Sequence, residues 1–200
     1  MKITQAIFSG SSCFVKDKPK IKLPEFAFIG RSNVGKSSLI NALCRQGQLA
    51  HTSSKPGKTQ LVNHFLINNS WYLVDLPGYG FAKLSKVIRA ELTEIIRGYI
   101  NGSEELVNLF VLMDARHDLQ PIDLKFILEL GEAEVPFSII FTKCDKLGVV
   151  ALDKQIKKNC QAILEYWEEL PRVFLSSTET GKGREEILDY IGTMIKNIKS

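Results

Sequence analysis

Four cysteines and three histidines in 200 residues leave little material for a disulfide scaffold or a metal centre. Cys13, Cys44, Cys144 and Cys160 form no C-x-x-C pair, so they are expected to be isolated reduced thiols. His51, His64 and His117 stand at no metal-ligand spacing and are expected on the surface or in loops. No apolar run approaches the length that crosses a bilayer, and Met1–Lys22 has only short apolar pieces among lysines, unlike a signal peptide. A cytoplasmic protein without a membrane partner is the expectation. Internal repeats, low-complexity linkers and signatures of RNA-binding modules are missing too. A net charge of +4 is modest. Its lysines gather at Lys16, Lys18, Lys20 and Lys22, at Lys154, Lys157 and Lys158, and at Lys196 and Lys199. By composition these are solvated surface groups, although such patches can also meet nucleic-acid phosphates.

What is present is a chain with ordinary apolar and charged fractions, 44% and 24%, long enough to bury a core unaided. Gly30-Arg31-Ser32-Asn33-Val34-Gly35-Lys36-Ser37 fits a phosphate-binding loop at each fixed position. The apolar run Phe26–Ile29 before it reads as a strand. Ser38 and the apolar residues after it read as a helix. Strand, loop and helix would aim backbone N–H groups and a helix N-terminus at a polyphosphate. Gly30 and Gly35 would supply a left-handed backbone. Lys36, expected in a solvated phosphate site, would reach the β- and γ-phosphates. The Ser37 hydroxyl would ligate Mg²⁺.

Two later runs refine this. Asp75-Leu76-Pro77-Gly78 follows the apolar stretch 71–74. A carboxylate at that strand end would hold the metal through water, and Gly78 would offer its N–H to a γ-phosphate. Thr142-Lys143-Cys144-Asp145 follows the strand-like run 137–141. Asp145 could accept two hydrogen bonds from guanine, a donor pair adenine lacks. The Lys143 stem could lie over the base. Ser176-Ser177-Thr178 closes a run from Val173 and could bring a backbone N–H to the guanine O6.

Alternating apolar runs and amphipathic segments predict an α/β fold of three layers, a mainly parallel six-stranded sheet with one antiparallel strand and helices on both faces. Strands are expected near 26–29, 62–67, 71–75, 107–113, 137–142 and 172–175. Helices are expected near 37–46, 86–100, 121–132, 152–169 and 183–197. Asn68-Asn69-Ser70 is too short for a crossover, so the second and third strands should form a hairpin. Residues 1–24 read as a basic extension packed on or near the domain, and 25–200 as a single domain, expected to be monomeric.

The wording of these boxes, with Pro56-Gly57-Lys58-Thr59-Gln60, Asp75 to Ala82 and Asp114-Ala115-Arg116, resembles the EngB (YihA/YsxC) family of bacterial ribosome-assembly GTPases, which have the P-loop fold. The resemblance runs from about Phe26 to the last helix. It implies a GTP/GDP switch that hydrolyses GTP with Mg²⁺. Its implied partner is the large ribosomal subunit or its assembly intermediates, through rRNA and ribosomal proteins. It also implies that Pro56, Gly57, Lys58 and Thr59 form a first switch against the nucleotide. Thr59 would complete the Mg²⁺ shell of Ser37, with Asp75 acting through water. Lys36, Thr59 and Gly78 become the catalytic candidates, and residues 76–85 the second switch. Tyr79 stands where many small GTPases carry a water-positioning glutamine, a role tyrosine cannot fill in the same way. Gln60 or a potassium ion held by Asn33 could substitute, and Asn33 is equally a turn-favouring residue. Two rivals stay open: an ATP-using P-loop enzyme, and a nucleotide-sensing module that needs a partner to hydrolyse.

Overall fold

A computed structural model describes residues 1–50, 61–80 and 84–199. Along the described chain the strands are β1 (Ala6–Ser12), β2 (Glu25–Gly30), β3 (Val62–Ile67), β4 (Trp71–Asp75), β5 (Leu106–Asp114), β6 (Phe137–Thr142) and β7 (Val173–Leu175). The helices are α1 (Lys36–Cys44), α2 (Lys86–Gly102), α3 (Pro121–Glu132), α4 (Val149–Leu164) and α5 (Arg184–Lys199). One sheet takes the order β1-β3-β4-β2-β5-β6-β7. β2 lies parallel to β4 and β5, β5 to β6, and β6 to β7. β3 runs antiparallel to both its neighbours, so it alone is reversed.

The central strand explains the layering. Along β2, Phe26 and Phe28 point to one face, while Ala27 and Ile29 point to the other. The phenylalanine face is covered by α1 through Leu39, Ile40 and Leu43 and by α5 through Ile187, Leu188 and Ile191. The opposite face is covered by α2 through Ile96 and Tyr99, α3 through Ile127 and Leu130, and α4 through Leu152 and Ile163. Every residue of β2 is buried, as a strand covered on both sides requires.

Three expectations are corrected. The sheet has seven strands where six were expected, because Ala6–Ser12 joins it as an edge. This segment has little apolar alternation, carries a bulge between Phe8 and Gly10, and leaves Ile7 and Phe8 half-exposed. Only pairing to β3 makes it a strand. Second, α4 covers Val149–Leu164 rather than 152–169. Trp167 leaves the helical path to pack on Phe137, with ring centroids 5.3 Å apart. Third, His64 is fully buried on β3, not a surface residue. It meets Tyr72 and Tyr99 edge-on and lies 3.7 Å from Glu25, beyond hydrogen-bond reach.

Glu25 anchors the end of β2 that lies away from the phosphate loop. It is 2% exposed and accepts hydrogen bonds from Tyr99 (2.7 Å), Ser103 (2.6 Å) and Lys18 (2.9 Å). Burial works to raise its pKa. The facing His64 and the donors Ser103, Tyr99 and Lys18 outweigh burial and hold the carboxyl at about 2. Through Lys18, which also bonds Glu105, the N-terminal segment is tied to the core.

Candidate nucleotide site

The C-terminal ends of β2, β4, β5, β6 and β7 meet at one edge of the sheet, where parallel α/β folds place their ligands. The loop after β2 turns tightly into α1. Gly35 caps that helix with φ of 101°, a conformation suited to glycine. Gly30 is needed for a different reason than expected. A side-chain carbon there would sit 2.8 Å from Val34 and 2.9 Å from the Leu112 carbonyl. It is close packing, not a left-handed backbone, that excludes larger residues. Asn33 takes the positive φ, 63°, that the sequence reading gave to Gly30.

Lys36 is not in an open phosphate site. It is 9% exposed, and its ammonium contacts the carboxylate of Asp75, which is 2% exposed. Ser37 lies half-buried in the first turn of α1, and Ser38 borders the cavity beside it. Leu76, Pro77 and Gly78 continue from β4 as buried backbone alongside β2, with Leu76 N–H donating to the Phe28 carbonyl and Tyr79 N–H to Gly30.

On the other side, the end of β6 fastens the candidate base-recognition turn to the loop between β2 and α1. Thr142 Oγ1 donates to the Val34 carbonyl at 2.6 Å, and Lys143 Nζ to the Asn33 carbonyl at 2.6 Å. Asp145 accepts from Ser177 Oγ at 2.7 Å and pairs with Lys146 at 3.0 Å. Ser177 and then Lys146 hold its carboxyl below the usual range, so it stands ionised. A cavity of about 180 Å³ is lined by Gly35, Ser38, Lys143, Asp145, Ser176 and Thr178, among others. Cys144 does not face it. Its thiol is buried and donates to the Phe141 carbonyl. The Ser176 and Ser177 N–H groups are engaged by the Phe141 and Lys182 carbonyls.

Pro56, Gly57, Lys58, Thr59 and Gln60 lie outside the described residues, as do Phe81, Ala82 and Lys83 of the expected second switch. For Mg²⁺, the Ser37 hydroxyl and Asp75 carboxylate are hard oxygen donors of the right kind. Among the described residues no three His, Cys, Asp or Glu side chains converge on a metal position.

Two carboxylates matter that motif reading left without a role. Asp123 on α3 accepts from the Tyr79 hydroxyl at 2.9 Å and faces Arg31 Nε at 3.2 Å. Burial raises its pKa against both partners. Tyr79 stacks on Phe126, centroids 4.6 Å apart, and burial, then the Asp123 charge, push its hydroxyl well above the usual range. Asp114 at the end of β5 is the other, and is held by Arg116 and Lys143. Asp114 opens a box that carried the family resemblance but no role, and Asp123 lies outside every box, marked only by its place at the start of α3.

The profile of the family described as 50S ribosome-binding GTPase matches residues 25–143. A probable GTP-binding protein EngB from Porphyromonas gingivalis is 56% identical over 97% of this chain and 96% of its own. The corresponding protein of Bacteroides thetaiotaomicron is 53% identical over 99% and 98%. The chain belongs to the EngB family of GTPases. Among solved structures, a probable GTP-binding protein EngB aligns over 86% of this chain and 99% of its own, with TM-score 0.69 and 23% identity. Era, solved with MgGDPNP and a segment of 16S ribosomal RNA, aligns over 86% and 56% with TM-score 0.67 and 24% identity. At those identities the likeness speaks for the fold. The region matched by the 50S ribosome-binding GTPase profile ends at Lys143 and so covers Gly30–Ser37, Asp75–Gly78 and Thr142–Lys143. No helix among the described residues is long and apolar enough to cross a membrane.

Proposed function

We propose that this chain is a slowly hydrolysing GTP switch that acts in assembly of the large ribosomal subunit. The observation that carries the nucleotide choice is the Asp145 carboxylate. Ser177 orients it, and it borders a cavity that reaches the phosphate loop at Gly35 and Ser38. A carboxylate accepts from the guanine N1–H and amine together, and adenine cannot satisfy it. The backbone of 33–38 and the Lys36 ammonium hold the phosphates. Ser37 and, by the family resemblance, Thr59 would hold Mg²⁺, and Asp75 would support it through water. Bound there, the ion would offset phosphate charge as it builds. Gly78 N–H meets the γ-phosphate. Asn33 is the candidate ligand for potassium, and rates in potassium against sodium at equal ionic strength test it.

The ribosomal part rests on the family's description and on no contact within this chain. Co-sedimentation with ribosomal subunits, under GDP and under a non-hydrolysable GTP analogue, tests it. Binding to the large subunit that depends on the analogue is expected; equal recovery without subunits would remove the partner. For the base, Asp145→Asn should weaken GTP binding and shift preference toward xanthosine triphosphate, whose 2-carbonyl accepts from the new amide. Unchanged GTP preference would sink the role of Asp145.

A second reading is favoured by Tyr79. Its ring is packed on Phe126 and its hydroxyl is spent on Asp123, so the residue directly after Gly78 is not free to position a water. Hydrolysis would then be negligible until a partner supplies one. Single-turnover phosphate release with and without large subunits separates the two.

A further inference from the structure

We infer that Asp114, with Arg116 behind it, is the positioning residue that locks the base-recognition turn to the phosphate loop by fixing the tip of Lys143. This rests on the guanine-nucleotide reading above and extends it to a strand, β5, to which no site residue was assigned.

Geometry carries it. Lys143 has a left-handed backbone, φ 58°, and sits directly after Thr142, which pairs with Asp114 across β5 and β6. Its stem crosses the phosphate loop, with Cε 3.7 Å from where a side-chain carbon on Gly35 would be. The ammonium ends between the Asn33 carbonyl at 2.6 Å and Asp114 Oδ2 at 3.0 Å. A carbonyl alone leaves most of that charge unpaired as it leaves water. Asp114 supplies the counter-charge, and it is itself immobilised. Arg116 binds it as a fork, Nε to Oδ1 at 2.9 Å and Nη2 to Oδ2 at 2.7 Å, and the Arg116 N–H adds a bond at 3.1 Å. Such a bidentate pair fixes orientation as well as charge. Asp114 is 8% exposed. Burial would raise its pKa, but Arg116 and Lys143 hold it well below the usual carboxylate range.

The consequence is specific. Lys143 spans the two halves of the site: its stem is available to the base while its tip holds the phosphate loop. A wandering tip would loosen both halves for any guanine nucleotide, with or without a γ-phosphate. Asp114→Asn should therefore weaken GDP and GTP by the same factor, about tenfold, mainly through faster dissociation. Arg116→Ala should lose less, in the same sense, because the carboxylate remains.

The test is a double-mutant cycle read by equilibrium GDP and GTP binding and by GDP dissociation rate. Lys143→Met keeps an aliphatic stem over the base and removes the ammonium. If Asp114 acts through Lys143, Asp114→Asn has no further effect in the Lys143→Met background. A merely structural Asp114 would cost the same in both backgrounds, and that result overturns the inference. So does wild-type affinity in Asp114→Asn, or a loss confined to GTP. Should Asp114→Asn fail to fold, Arg116→Ala carries the same cycle, with a few-fold loss expected that vanishes beside Lys143→Met. Wild-type protein that does not bind GDP would instead bring down the guanine reading, and this inference with it.

Discussion

Lys36 and Asp75 are each other's nearest charges at the head of the phosphate loop, and both are nearly out of solvent. A buried ion pair contributes little net stability when intact, yet breaking it from one side is costly. Lys36→Ala should thus do two things. It should abolish tight GTP binding, measured by calorimetry, and it should destabilise the free protein by about 2 kcal/mol, because Asp75 is left buried without its partner. Adding Asp75→Asn should recover most of the stability and none of the binding. Equal urea midpoints for wild type and Lys36→Ala would refute the pairing, and equal GTP affinity would refute the phosphate role. The sequence points to Lys36 as the proposed phosphate ligand. It did not show that the ammonium would be matched from within, since that depends on β4 lying beside β2.

At the scale of elements, the turn that follows β4 is fastened to α3. Tyr79 and Arg31 reach the same carboxylate, Asp123, from the proposed second switch and the loop after β2. Tyr79→Phe keeps the stack on Phe126 and removes only the hydroxyl. Basal hydrolysis should then change within a few-fold, against about a hundredfold or more for loss of a positioned catalytic group. Amide exchange at Gly78–Gly80 should quicken at the same time. A hundredfold fall in rate would overturn this and make Tyr79 a catalytic residue. The elements themselves differ in how legible they were. β2, β5 and β6 are near-continuous apolar runs, and their boundaries could be read to within a residue or two. The β3–β4 hairpin announced itself through the length of its turn. β1 could not be read, because Ile7 and Phe8 face solvent and only a partner strand defines it. His64 was misjudged for a related reason: a lone polar residue carries no sign of which side its strand will bury.

Across the whole molecule, acid stability should depend on Glu25, at the opposite end of β2 from the nucleotide site. Its pKa falls from the usual 4.5 to about 2 on folding. A depressed carboxyl stabilises the fold fully above about pH 4.5, and the contribution fades as pH drops toward 2. The amount is at most on the order of 3 kcal/mol. Glu25→Gln should be less stable than wild type at pH 7, with the gap closing between pH 4.5 and 2 in urea titrations. Parallel pH curves for the two proteins would exclude Glu25 as the source.

The edge position of β1 has a kinetic consequence. This strand is made early in synthesis, but β3, its one neighbour among the described residues, ends at Ile67. Through the intervening fifty-odd residues (about the span from Ser12 to Ile67) β1 has no strand to pair with, and closing that loop carries its own entropic cost. Order of synthesis and order of docking are therefore reversed for the N-terminal segment. In pulse-labelled refolding, amides of Ala6–Ser12 should gain protection after those of β3 and β4. Simultaneous protection would mean that β1 is part of the folding nucleus rather than a late addition to it.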